Sequence, residues 1–329
     1  MLAKPPVDVS AVTAVRYLGR HVRRLRRHLV GLPRARNPES VHQVRVACRR
    51  LRAGFRVFRE LLGKERTKRW RSALRDLASA LGKARDTDVQ IAAMLGRLGE
   101  SGDPEIRHGI VFWLALLETT RSRCQPQIRR ALRRFLRTGT LRQMKEWLND
   151  ARRNLATAVG KTEAPPTGYE KRLLQRVNEF LTQGNSLRDE EDVARHHEFR
   201  VAAKKLRYTL EIYAPVLGTH FEVALEAVRE MQSYLGEIHD CDVWIAELES
   251  AVRRLKAGEK LLSGWMNQTR FISGLEFLQE TCRERRRQSF AAAGAFWQDE
   301  KVAALWPRIV ATLNNSQRAE NADATGSPA

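Results

Sequence analysis

Apolar residues recur three and four apart along most of the chain, the spacing that gathers them on one side of a helix. This pattern predicts helices over residues 9–30, 41–63 and 66–81, with a further one starting at Asp86 and one or two more across 104–155. It continues over 168–183, 190–217, 220–235, 239–255, 259–288 and 291–313. No alternating strand pattern interrupts it, so the expected fold class is all-α. Punctuation fits this reading: Ser10 is placed to cap the first helix, Gly31 and Pro33 to stop it, and Pro126 and the RTGT run at 137–140 to break the middle segment. The Pro-Pro break in KTEAPPTGYE divides the chain into halves at 1–164 and 165–313, and the polar, small-residue stretch 314–329 reads as a disordered tail.

One helical stretch occurs twice. VHQVRVACRRLRAGFRVFRELLG at 41–63 returns as HHEFRVAAKKLRYTLEIYAPVLG at 196–218, with 8 of 23 positions identical. In the first copy Val44, Cys48, Leu51, Phe55, Phe58 and Leu62 form a narrow apolar stripe. His42, Arg45, Arg49, Arg52 and Arg56 fall along a second stripe about a third of a turn away. The second copy places Phe199, Ala203, Leu206, Leu210, Tyr213 and Leu217 inward and His197, Arg200, Lys204 and Arg207 along the side. Arg50 and Lys205 point elsewhere, toward a flank or another helix. Like charges three and four apart destabilise a helix by a few tenths of a kcal/mol per pair, so the stripe meets carboxylates or an anion.

Charge sharpens that choice. The chain of 329 residues carries 59 Lys and Arg against 38 Asp and Glu, a net +21, and 47 of the cations are Arg. Arginine stays charged on burial and meets phosphate oxygens with a planar fork, so phosphate is the leading ligand chemistry. The excess is lopsided: 37 cations face 14 carboxylates through residue 164, and 22 face 24 beyond it. The basic second copy therefore stands out in a balanced segment. The run Arg129, Arg130, Arg133, Arg134 and Arg137 reads first as a solvated face and second as an extension of a binding surface.

A second motif repeats at nearly the same offset, LGKARDTDV at 81–89 and LGEIHDCDV at 235–243. Gly82 and Gly236 would close one helix, Asp86 and Asp240 would cap the next, and Asp88 and Asp242 would sit in its first turn. The same four carboxylates are also candidates to orient Arg or His on the repeated helix. Cys48, Cys124, Cys241 and Cys282 have no metal-finger or CxxC spacing and read as buried thiols in a reducing cytosol. No apolar run approaches a membrane span and the N-terminus has no signal core, so a soluble cytoplasmic protein is expected.

The pattern H-x-x-R-V-x-x-x-R-x-L-R, its Lys-substituted second copy, and the D-x-D-V motif following each resemble the CHAD (conserved histidine alpha-helical domain) family over roughly residues 9–313. That resemblance implies two pseudo-twofold-related four-helix bundles around a basic central groove. It also implies binding of inorganic polyphosphate and localisation to polyphosphate granules. Residue by residue it implies His42, Arg45, Arg49, Arg50 and Arg52, with Arg56 continuing the stripe, and His197, Arg200, Lys204, Lys205 and Arg207. Arg56 has Glu211 as its counterpart, so binding is expected to be stronger at one end of the groove. Many relatives carry a triphosphate-tunnel catalytic domain; its E-x-E-x-K signature is not found in this sequence, so a noncatalytic role without cofactor or metal is expected.

Two other readings compete. Nonspecific nucleic-acid binding suits the net charge, yet the basic helices lack interleaved aromatics for base stacking. Metal-dependent phosphohydrolysis would use His42, His197, His239 and the D-x-D pairs, but each histidine lies among cations that repel a divalent ion.

Overall fold

The computed structural model describes residues 7–32, 37–100, 102–156, 163–164, 169–214, 217 and 219–325. Its described residues are almost entirely helical: α1 Val9–Leu29, α2 Pro38–Val57, α3 Arg59–Leu62, α4 Lys64–Ala80, α5 Gly82–Glu100, α6 Pro104–Arg123, α7 Gln125–Arg137 and α8 Thr140–Ala156. They continue as α9 Tyr169–Thr182, α10 Val193–Tyr213, α11 Thr219–Lys256, α12 Ile272–Gln298 and α13 Glu300–Thr325. Two-residue strands β1 Val7–Asp8 and β2 Glu163–Ala164 pair in parallel, too short to leave a sequence pattern. The fold class is all-α.

Local chemistry sets the helix ends. Asp103 Oδ1 accepts the Glu105 backbone N–H at 2.8 Å with Pro104 in the first turn, and Asp299 Oδ1 accepts that of Lys301 at 2.9 Å. Gly63 at φ 82 and Gly139 at φ 64 turn the chain between α3 and α4 and between α7 and α8, in a region side chains resist. The side chain of Ser10, and Pro33, Pro165 and Pro166, lie outside the described residues.

In the first half α1 packs on α2 and α8, and α4 on α2 and α7. In the second, α9 packs on α10 and α13, and α10 on α11. Among the described residues, the buried apolar side chains form three clusters. One gathers Leu25, Leu51, Phe55 and Trp70, and another Phe180, Phe199, Leu206 and Trp306. The third joins Phe112 and Leu117 from before residue 164 to Leu248, Phe271 and Leu275 from after it. There α6 and α12 cross at two glycines: a Cβ on Gly109 would lie 2.5 Å from Gly274 Cα.

Several boundaries differ from expectation. Residues 220–255 lie within one 38-residue helix, α11, instead of two separated at Gly236. A mid-helix glycine costs only about 1 kcal/mol, and Leu235, Ile238 and Cys241 bury the adjoining face. Asp240 and Asp242 therefore lie mid-helix and start nothing; α5 likewise begins at Gly82, so Asp86 lies inside it and caps nothing. The helix expected from 259 begins at Ile272, because Gln268 instead bonds the segment before it, accepting Leu261 N–H at 2.9 Å and donating to Trp265 O at 2.8 Å. The disordered tail expected from 314 is helical to Thr325, since Ile309 and Leu313 seat α13 and the following residues contain no glycine or proline before Gly326. Residues 326–329 lie outside the described set. All four cysteines are buried free thiols. Among the described residues no helix is long and apolar enough to cross a membrane.

Candidate basic groove

The repeated helices are α2 and α10, and they pack against each other. Each is started by a side chain accepting a backbone N–H: Asn37 from Glu39 at 2.9 Å, Asp192 from Arg195 at 3.0 Å. Val44, Cys48, Leu51 and Phe55 are buried on α2, as are Phe199, Ala203, Leu206, Leu210 and Tyr213 on α10; the helix expected over 41–63 breaks at Phe58, which is buried with Leu62 of α3, and Leu217 is half-buried beyond α10. Fixing the apolar stripes inward leaves the neighbouring cationic stripes at the helix edges.

Those edges face each other at their middle. Lys204 on α10 is pulled down to about 7, first by burial and then by Arg200 beside it and Arg49 and Arg45 across on α2, with Asp240 acting in the opposite sense. Burial also lowers Arg45 and Arg200 from the usual arginine range, and the exposed Asp86 carboxylate opposes the shift in both. The guanidinium groups stay charged. Among the described residues, none of Arg45, Arg49, Arg200 and Lys204 has a carboxylate within ion-pair distance; Arg45 Nη1 donates to Ala78 O at 3.0 Å. Buried Nε atoms of Arg52, Arg71 and Arg200 have no partner among the described residues, a costly state for a charged donor.

Histidines border this centre. His42 is lowered by burial and then by Arg85. His239 is lowered to about 4 by burial and by Arg200, His197 and Lys204; its ring centroid is 5.4 Å from that of His197. From the centre a pocket of about 280 Å³ opens between α2, α9 and α10, lined by Arg49, Arg52, Arg56, Arg176, Lys204 and Lys205. A wider depression of about 810 Å³ shares Gln175, Val201 and Lys205 with it and reaches His197, but also bears Glu179 and Glu198.

Other predicted residues are engaged within the protein. Arg50 pairs with Glu211, its Nη2 donating to Oε1 at 3.1 Å. Glu211 also accepts from Arg207 Nε at 2.9 Å and lies 3.7 Å from Arg229. Arg50 and Arg49 sit over the buried Tyr208 ring at 4.7 and 5.6 Å. Lys205 lies 3.8 Å from Glu179. Glu211, the counterpart of Arg56, is thus the counterion of this end of the helix pair.

The aspartates divide by position. Asp86 and Asp240 face the repeated helices. Asp88 and Asp242 turn away to Arg121 on α6 and Arg286 on α12, with Nε donating to Oδ1 at 2.5 and 2.6 Å. Arg286 also donates to Glu190 O at 2.6 Å. Sequence reasoning missed Arg121 and Arg286, which lie 33 and 44 positions from their partners with no motif spacing to mark them. It missed Arg71 and Arg75, which crowd Arg52, and Arg176 beside Arg56; nothing before the helices pack distinguishes them from other surface arginines. The cluster Arg129, Arg130, Arg133, Arg134 and Arg137 is exposed on α7, which packs on α4.

Fold and edge together define an all-helical protein in which two copies of one basic helix share a cationic seam. The chain belongs to the CHAD domain family, whose model matches residues 16–249. Among solved structures, the CHAD domain from the plant Ricinus communis matches at TM-score 0.63 and 20% identity, over 87% of this chain and 90% of that one. PptA from Streptomyces chartreusis matches at TM-score 0.55 and 17% identity, over 90% of this chain and 100% of that one. At these identities both likenesses concern the fold. Uncharacterized proteins from two Mycobacterium tuberculosis strains are 28% identical over 260 residues, 78% of this chain. The chain covers 47% of those curated relatives, about half their length.

Proposed function

We propose that this chain is a noncatalytic receptor for inorganic polyphosphate, with its groove along the α2 and α10 edges and recruitment to polyphosphate granules as the cellular consequence. The observation that carries this reading is the convergence of Arg45, Arg49, Arg200 and Lys204 with no ion-paired carboxylate among the described residues. Three guanidinium groups and a partly protonated amine held together are mutually repulsive, and a chain of phosphates supplies repeated negative charge along one line. From His42 to Arg52 the helix advances about 15 Å, room for several phosphate units. Affinity comes from counterion release and charge-assisted hydrogen bonds. The internal duplication, with a pseudo-twofold relating the two basic helices, belongs to this proposal.

The path we assign runs from His42 and His197 through the four central cations into the pocket lined by Arg52, Arg56 and Lys205. Arg50 and Arg207 flank it, held by Glu211. Asp86 and Asp240 orient the arginines they face. Titration of labelled polyphosphates of graded length tests the reading. Affinity is expected to rise with length, and reversal of Arg200 and Lys204 to Glu should weaken it at least tenfold more than reversal of Arg133 and Arg134. Equal losses would mean diffuse attraction without a groove.

A further inference from the structure

We infer that Lys204 is a site of nonenzymatic acylation by small acyl phosphates, a modification that removes a positive charge from the centre of the groove. The inference uses the same cations as the proposed function but does not require polyphosphate to bind.

Lys204 is half-buried at the wall of the 280 Å³ pocket, so its amine is held in place yet reachable by a small molecule. The groups facing it are Arg45 and Arg49 from α2, Arg200 on its own helix, and His239 and Asp240 from α11. Three guanidinium groups act on this one amine and Arg49 lines the same pocket, which makes a phosphate anchor next to a nucleophile. A phosphate seated on Arg49 and Arg200 would carry its acyl carbon toward Nζ. The amine lone pair attacks that carbon, the bond from acyl carbon to phosphate oxygen breaks, and inorganic phosphate leaves with the electron pair. The ammonium proton passes to phosphate or water, giving a neutral amide, and no redox partner is needed. The same arginines stabilise the departing phosphate charge.

Protonation favours this position as well. Burial and the arginines bring Lys204 to about 7, so much of it is free amine near neutrality, whereas roughly one in a thousand of ordinary lysines is. Lys205, one residue on, faces Glu179 at 3.8 Å. Lys64, Lys145 and Lys260 are exposed and serve as internal standards.

The full chain incubated with acetyl phosphate near neutral pH, with each lysine followed by peptide mass spectrometry, tests the inference. Lys204 is expected to acylate on the order of tenfold or more faster than Lys64, Lys145 and Lys260, and denaturing urea should abolish the difference. Arg200→Gln, which removes an anchor and a repelling charge, should bring Lys204 toward the rate of the standards. Equal rates in the folded protein, selectivity that survives urea, or unchanged selectivity in Arg200→Gln would each overturn the inference. Added long polyphosphate separates the two claims: selective acylation without protection keeps this inference and counts against the polyphosphate reading. Polyphosphate binding without selective acylation sinks this inference alone.

Discussion

Lys204 gives the residue scale its clearest consequence. Its folded value of about 7 lies below the ordinary lysine value of 10.5, so the unfolded chain binds more protons between them. The sign follows: this group makes the fold less stable below about 7, and that penalty lifts as pH rises toward 10.5. Polyphosphate would favour the charged amine, so affinity should fall as pH rises from 7 to 9, and Lys204→Arg should flatten the dependence. Titration calorimetry at fixed ionic strength checks this; a flat wild-type profile would remove Lys204 from the contact. A second residue-scale prediction concerns Asp88 and Arg121, whose side chains are 4% and 8% exposed. Asp88→Ala removes a buried carboxylate from the pair with Arg121 and should destabilise the fold, read as a fall in urea midpoint. Asp86→Ala, at an exposed position, should cost far less.

At the scale of the element, helices were legible wherever one face buries. The stripe from Val44 to Phe55 named the inward side of α2 and, by difference, its cationic edge. What failed were signals of termination. Gly236 looked like a stop, yet α11 runs through it because the tertiary environment buries residues on both sides. Two glycines therefore predict opposite outcomes. A Cβ at Gly236 meets nothing within 4 Å, so Gly236→Ala should stabilise by about 0.5–1 kcal/mol. Gly109→Ala would drive a methyl into Gly274 where α6 crosses α12, and should lower Tm. Thermal melts of both variants decide it; a stabilised Gly109→Ala would mean that the crossing is looser than the backbone contact indicates.

Over the whole molecule, net charge alone would attract any polyanion, and a groove is what would add preference. If the groove is the receptor, binding should weaken steeply between about 50 and 200 mM salt while polyphosphate still outcompetes duplex DNA at equal phosphate concentration. Displacement by DNA at parity would favour the nucleic-acid reading. Tyr208, an aromatic beside the seam, is buried under Arg49 and Arg50 instead of offered for base stacking.

By itself the sequence determined that this protein is helical, which faces of its repeated helices bury, and which side chains form the cationic edges, because helical periodicity is a local property written in consecutive residues. Tertiary structure alone decided which of those charges are neutralised. Glu211 takes Arg50 and Arg207, Asp88 and Asp242 take Arg121 and Arg286, and Arg45, Arg49, Arg200 and Lys204 are left crowded together. Counterions come from helices distant in sequence, and electrostatic energy depends on separation in space, which one-dimensional spacing does not encode.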